Sequence, residues 1–133
     1  MRSLSFFAFI LFLALSSDAA DNAPRFPNSH ITAEDWNTYL AEVKALPGVA
    51  VRESNQQITI TDQRAGVTLY AFTTPNNPAH PGVVIRKVVR MDDGSYAINR
   101  VGYYAGDAEQ FKRWWHAFDA LDEKIKADMK SGK

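Results

Sequence analysis

The chain has 133 residues, 46% hydrophobic and 12% aromatic, which is enough for one packed domain and cramped for two. Its 15 Lys and Arg balance 15 Asp and Glu, so no net field draws nucleic acid. There is no cysteine, which excludes a disulfide framework, a thiolate nucleophile, a cysteine-based zinc or iron–sulfur centre and a lipid-acylated cysteine.

The first residues read as an address. Arg2 supplies a positive start, Phe6 to Leu15 is an unbroken apolar run, and Ser16-Ser17-Asp18-Ala19-Ala20 provides small residues for cleavage. Ser17 and Ala19 fit the small-x-small rule, so cleavage after Ala19 is expected, with Ala20 as the second choice. The run is shorter than the roughly 20 apolar residues a membrane span needs. No stable membrane anchor is therefore expected after cleavage. Removal of this leader takes away Phe6, Phe7, Phe9 and Phe12, half of the eight phenylalanines. The expected organisation is a leader over 1–19, a proline-bearing flexible arm over 20–30 and a single domain over 31–130.

The first helix opens at Thr32. Asp35 stands in the capping-box position, and Ile31 and Trp36 can form a hydrophobic staple. Trp36, Leu40 and Val43 recur at helical spacing, with Tyr39 alongside, and Pro47-Gly48 ends the helix. The period then changes to two. Val49 to Glu53, Gln57 to Thr61 and Val67 to Thr73 read as strands. Residues 74–82 carry three prolines and an Asn-Asn pair and read as a loop. Val83 to Met91 and Tyr96 to Tyr104 form a hairpin about Asp93-Gly94. Asp107 caps the last helix, with Gln110 in the capping-box position. Along it Phe111, Trp114, Phe118, Leu121, Ile125 and Met129 fall within about 80° of one another, making one apolar stripe.

One apolar stripe per helix asks for one sheet face to cover. The expected fold is α+β, two-layered, with an antiparallel meander of about five strands and both helices packed on one face. A cystatin-like sheet curved around the first helix is the alternative.

A two-residue turn at Asp93-Gly94 pairs Met91 with Tyr96, Val89 with Ile98, Ile85 with Gly102 and Val83 with Tyr104. The other register would bring Ser95, Ala97 and Asn99 beside Met91 and Val89, a poorer burial. The favoured register sets Lys87 opposite Arg100 on the apolar face, where like charges repel. Asp122 projects about 40° from Phe118 and can neutralise either cation between helix and sheet. The plainer alternative has both cations snorkelling to water at the sheet margin. The same register leaves Val84, Arg86, Val88 and Arg90, with Ala97, Asn99, Val101 and Tyr103, on an uncovered face. Arg and Tyr among small apolar residues is an interface-like mixture, although a solvated face would look the same.

Signals for chemistry are sparse. His116 points about 160° from Phe118, to solvent. His30 lies in the arm. His80, held between Ala79 and Pro81, is either a positioned loop histidine or a turn residue bonded to backbone. No histidine pair has metal-ligand spacing, so neither metal nor cofactor is expected. There is no Gly-x-Ser-x-Gly, no phosphate-binding loop and no GxGxxG. Asp62, Asp92, Asp93 and Asp107 fall at turns and caps, where they serve the backbone. Trp115 borders the apolar stripe, as a core flank or as an anchor for a partner.

The segment Ala79-His80-Pro81-Gly82-Val83-Val84-Ile85-Arg86, the Asp93-Gly94 turn, and Tyr104-Ala105-Gly106-Asp107 before an aromatic helix resemble small exported proteins of unknown function from Gram-negative bacteria. The likeness covers roughly residues 68 to 125. It implies a periplasmic or secreted location, and no activity or site.

Two functions are carried forward. The first is a non-catalytic binding or accessory module that meets another envelope or extracellular protein. Its expected patch holds His80, Arg86, Arg90 and Tyr103, with Trp115 a further candidate. The second is a small ligand-binding domain or enzyme with a helix–sheet pocket near Lys87, Arg100, Asp122 and Tyr104.

Overall fold

The computed structural model describes residues 24–132, so the leader lies outside the described residues. Helix α1 spans Ala33–Lys44. Its capping box forms as the sequence predicts: Asp35 N–H donates to Thr32 Oγ1 (3.0 Å) and Thr32 N–H donates to Asp35 Oδ2 (3.3 Å). Five strands follow: β1 (Ala50–Glu53), β2 (Gln57–Asp62), β3 (Val67–Thr73), β4 (Gly82–Arg90) and β5 (Tyr96–Tyr104). Each is antiparallel to the next, and their order in the sheet is their order in the chain. Helix α2 (Ala108–Lys130) closes the chain, with the Asp107 carboxylate accepting the Gln110 N–H at 2.9 Å. This is the α+β class and the five-stranded meander expected above.

The β4–β5 register differs from the expected one by a single residue. Arg90 faces Tyr96, Arg86 faces Arg100, Lys87 faces Asn99 and Val83 faces Tyr103. The reason is the turn. Gly94 N–H donates to Met91 O (3.0 Å), Met91 N–H to Ser95 O (2.8 Å), and Gly94 takes a left-handed φ of 87°. Asp92, Asp93 and Gly94 thus make a three-residue loop, with glycine at its left-handed position, in place of a two-residue turn. One extra loop residue moves every side chain of β5 to the other face relative to β4.

Helix placement differs too. The two helices cover opposite faces. Trp36, Tyr39 and Val43 of α1 pack on Ile58, Ile60, Phe72, Val83 and Tyr103. Phe111 and Phe118 of α2 pack on Ala71 and Val84. Adjacent residues of a strand point to opposite faces, so Phe72 and Ala71, like Val83 and Val84, belong to two different cores. All four are fully buried. A strand apolar on both sides is the mark of a sheet covered twice.

Residues 25–31 lie against the end of β5. Tyr104 N–H donates to Ser29 O and Ile31 N–H to Tyr104 O, both at 2.9 Å, making a parallel bridge at His30. Phe26 sets its ring edge-on against Tyr39 and Tyr103.

Candidate functional site

The α2 face of the sheet buries charge, whereas on the other face the charged and polar residues of β4 and β5, Lys87 and Asn99, lie exposed beyond the apolar core. Arg86 and Arg100 stand directly opposite each other on β4 and β5. Like charges so placed repel unless something lies between them. Asp122 of α2 does: it accepts from Arg86 Nη1 at 2.9 Å and from Arg100 Nη1 at 3.2 Å. Arg100 also donates from Nη2 to Asp119 (2.6 Å), and His116 Nδ1 lies 3.3 Å from the other Asp119 oxygen. Hydrogen bonding from Arg100, and next from His116, holds the Asp119 carboxyl below the usual carboxylate range. Both guanidiniums also sit over aromatic rings of α2, Arg86 4.6 Å from the Phe118 centroid and Arg100 4.4 Å from that of Trp115. Arg86 is 3% exposed, and its Nε–H finds no acceptor among the described residues.

The sequence named Lys87, Arg100 and Asp122 as the cluster. The structure brings Arg100 and Asp122 together and corrects Lys87, which is exposed on the opposite face; the one-residue register shift puts Arg86 in its place.

Where β5 and α2 diverge, a groove of about 470 Å³ opens, lined by Ile98, Arg100, Trp115, Asp119, Asp122, Glu123 and Lys126. Gly102 sets how closely the helix approaches its closed end. A Cβ there would lie 2.6 Å from Phe111 Cζ and 2.9 Å from Trp115 Cζ3. Asp119, Glu123 and Lys126 were not singled out from the sequence. The signal was available: with Trp115 and Asp122 they fall on one strip of the helix about 100° wide, beside the apolar stripe.

The patch expected around His80, Arg86, Arg90 and Tyr103 does not assemble. Arg86 and Tyr103 are both buried, on opposite faces, and only Arg90 is fully exposed. His80 is instead a fixture of the 74–81 loop. Its Nδ1 shares a 2.7 Å hydrogen bond with Thr73 Oγ1, which also accepts the Gly82 N–H at 2.9 Å. Its ring stands edge-on to Trp36 at 4.9 Å. Burial pushes the His80 pKa below its ordinary value, with a hydrogen bond to the Thr73 backbone opposing. The Thr73 side chain is wholly buried, so the pair offers no reachable nucleophile. Asn77 completes the loop, donating to Gln56 O (3.1 Å) and accepting the Ala79 N–H (2.9 Å).

Among the described residues, no cluster of three His, Asp or Glu could hold a metal ion. No helix there is long and apolar enough to cross a membrane. No family model, no curated protein and no solved structure matches this chain.

Proposed function

We infer that the chain is a non-catalytic binding module of the bacterial envelope or the secreted fraction, and that it takes its protein partner in the groove between β5 and α2. The leader pattern at residues 1–20 supports export to the periplasm or beyond it. The groove carries the binding reading. Its walls are fixed before any partner arrives, because Arg100 is held by two carboxylates and a tryptophan ring at once. A preformed wall loses little freedom on binding, which favours affinity.

The groove volume also lies within the range of small-molecule sites, so a polar small ligand is the second reading. One experiment separates them. A photo-crosslinking residue replaces Glu123 in the native host, with Arg52 on β1 as the control position. A protein adduct from position 123 alone supports the module. No protein adduct from position 123, with a Trp115 fluorescence change on adding a small-molecule extract, supports the ligand reading. Equal adducts from both positions count against the groove. Fractionation of the same cells checks the location: protein retained in the cytoplasm at full length contradicts export.

A further inference from the structure

The outer edge of β5 runs along the mouth of the groove. Tyr104 shows which way its backbone points, since its N–H and C=O both serve the 29–31 segment on the side away from β4. That direction alternates along an antiparallel strand. Tyr96, Ile98, Arg100 and Gly102 therefore present their N–H and C=O groups outward as well. Nothing pairs with that stretch of edge among the described residues, because β5 is the last strand of the sheet and its bridge to the arm ends at Tyr104. The side chains of Ile98 and Arg100 also line the groove beneath α2. A chain laid along this edge would bond to their backbone and drop every second side chain into the groove.

We propose that this edge receives an extended peptide segment of a partner by strand addition, with basic side chains at alternate positions. The proposal rests on the groove reading above and names the chemistry that fills the groove. Two observations select this occupant. The edge is already used in this way within the molecule, because the backbone of Ser29 and Ile31 adds to Tyr104 as a parallel bridge. The open stretch continues that interface. Along the groove, Arg86 and Arg100 share Asp122 in its wall, while Asp119, bonded to Arg100, and Glu123, paired with Lys126, lie exposed on the rim at 58% and 70%, where their open sides face solvent. Ile98 and Trp115 offer apolar surface to a lysine or arginine stem, and the rim carboxylates meet its head.

The test uses short synthetic peptides and the purified protein. One peptide alternates valine and lysine. Two twins carry N-methyl groups, on the lysines in one and on the valines in the other. A fourth alternates valine and glutamate. The readouts are amide hydrogen exchange at Ile98, Arg100 and Gly102, and the indole signal of Trp115. At about 1 mM, the valine–lysine peptide slows those three amides about tenfold. Only one N-methylated twin retains the effect, because only one phase of the peptide's N–H groups faces the sheet. The glutamate peptide binds weakly, and Glu123→Lys narrows the difference. The proposal is overturned if no peptide binds at that concentration, if both twins protect equally, or if the glutamate peptide binds as well as the lysine one. A Trp115 response without amide protection overturns strand addition while leaving the groove reading standing.

Discussion

Single residues decide two features of this molecule, and each makes a prediction. Burial beside Trp36 disfavours the charged form of His80. Its pKa in the fold lies below the ordinary 6.5, so the unfolded chain binds that proton more readily. The stabilisation is present in full above pH 6.5 and declines as pH falls through 6.5 toward the lower folded value. Melting curves from about pH 7.5 to 5.5 should show the wild type losing stability faster than His80→Gln. Parallel slopes would contradict this assignment. Asp122 is the second. Its removal leaves Arg86 charged, buried and without its acceptor. Asp122→Ala should cost about 3–5 kcal/mol in chemical denaturation, whereas Arg86→Met with Asp122→Leu should fall within about 1 kcal/mol of wild type. A neutral Asp122→Ala would show that the pair contributes nothing.

At the scale of elements, the sequence was legible where local chemistry is one-valued. Thr32 with Asp35, Asp107 with Gln110, and the prolines of residues 74–82 each admit one local structure, and the helices and strands fall where these residues place them. The β4–β5 register was not legible, because Asp93-Gly94 suits both a two-residue turn and the end of a three-residue loop. That ambiguity of one residue exchanged Lys87 for Arg86 in the cluster and moved Tyr103 to the α1 side. The contact between β5 and α2 yields a further prediction. Gly102→Ala would press a methyl group into Phe111 and Trp115, so it should destabilise the protein by about 1–3 kcal/mol and change the Trp115 emission. Unchanged stability would mean that the helix sits farther from β5 than described.

On the scale of the whole molecule, α1 and α2 clasp the sheet from both sides. The apolar pattern hid this, because one stripe per helix is equally compatible with a shared face or with two faces. The informative signal was the run Val83-Val84-Ile85, apolar without alternation. Covering both faces buries Arg86 and Tyr103, two residues of the expected open-face patch, and the groove beside β5 is where α2 leaves charged side chains within reach. Asp122 and Arg100 could be read as partners from helical angle and strand position; the rest of the groove depends on where α2 lies, which only the packing decides. Among the described residues, the edge of β5 facing that groove has no strand partner. Amide hydrogen exchange of the free protein, residue by residue along β5, reads that edge out. Ala97, Asn99, Val101 and Tyr103 should be protected by β4, while Ile98, Arg100 and Gly102 exchange at least tenfold faster. Equal protection of the two sets would contradict an open edge.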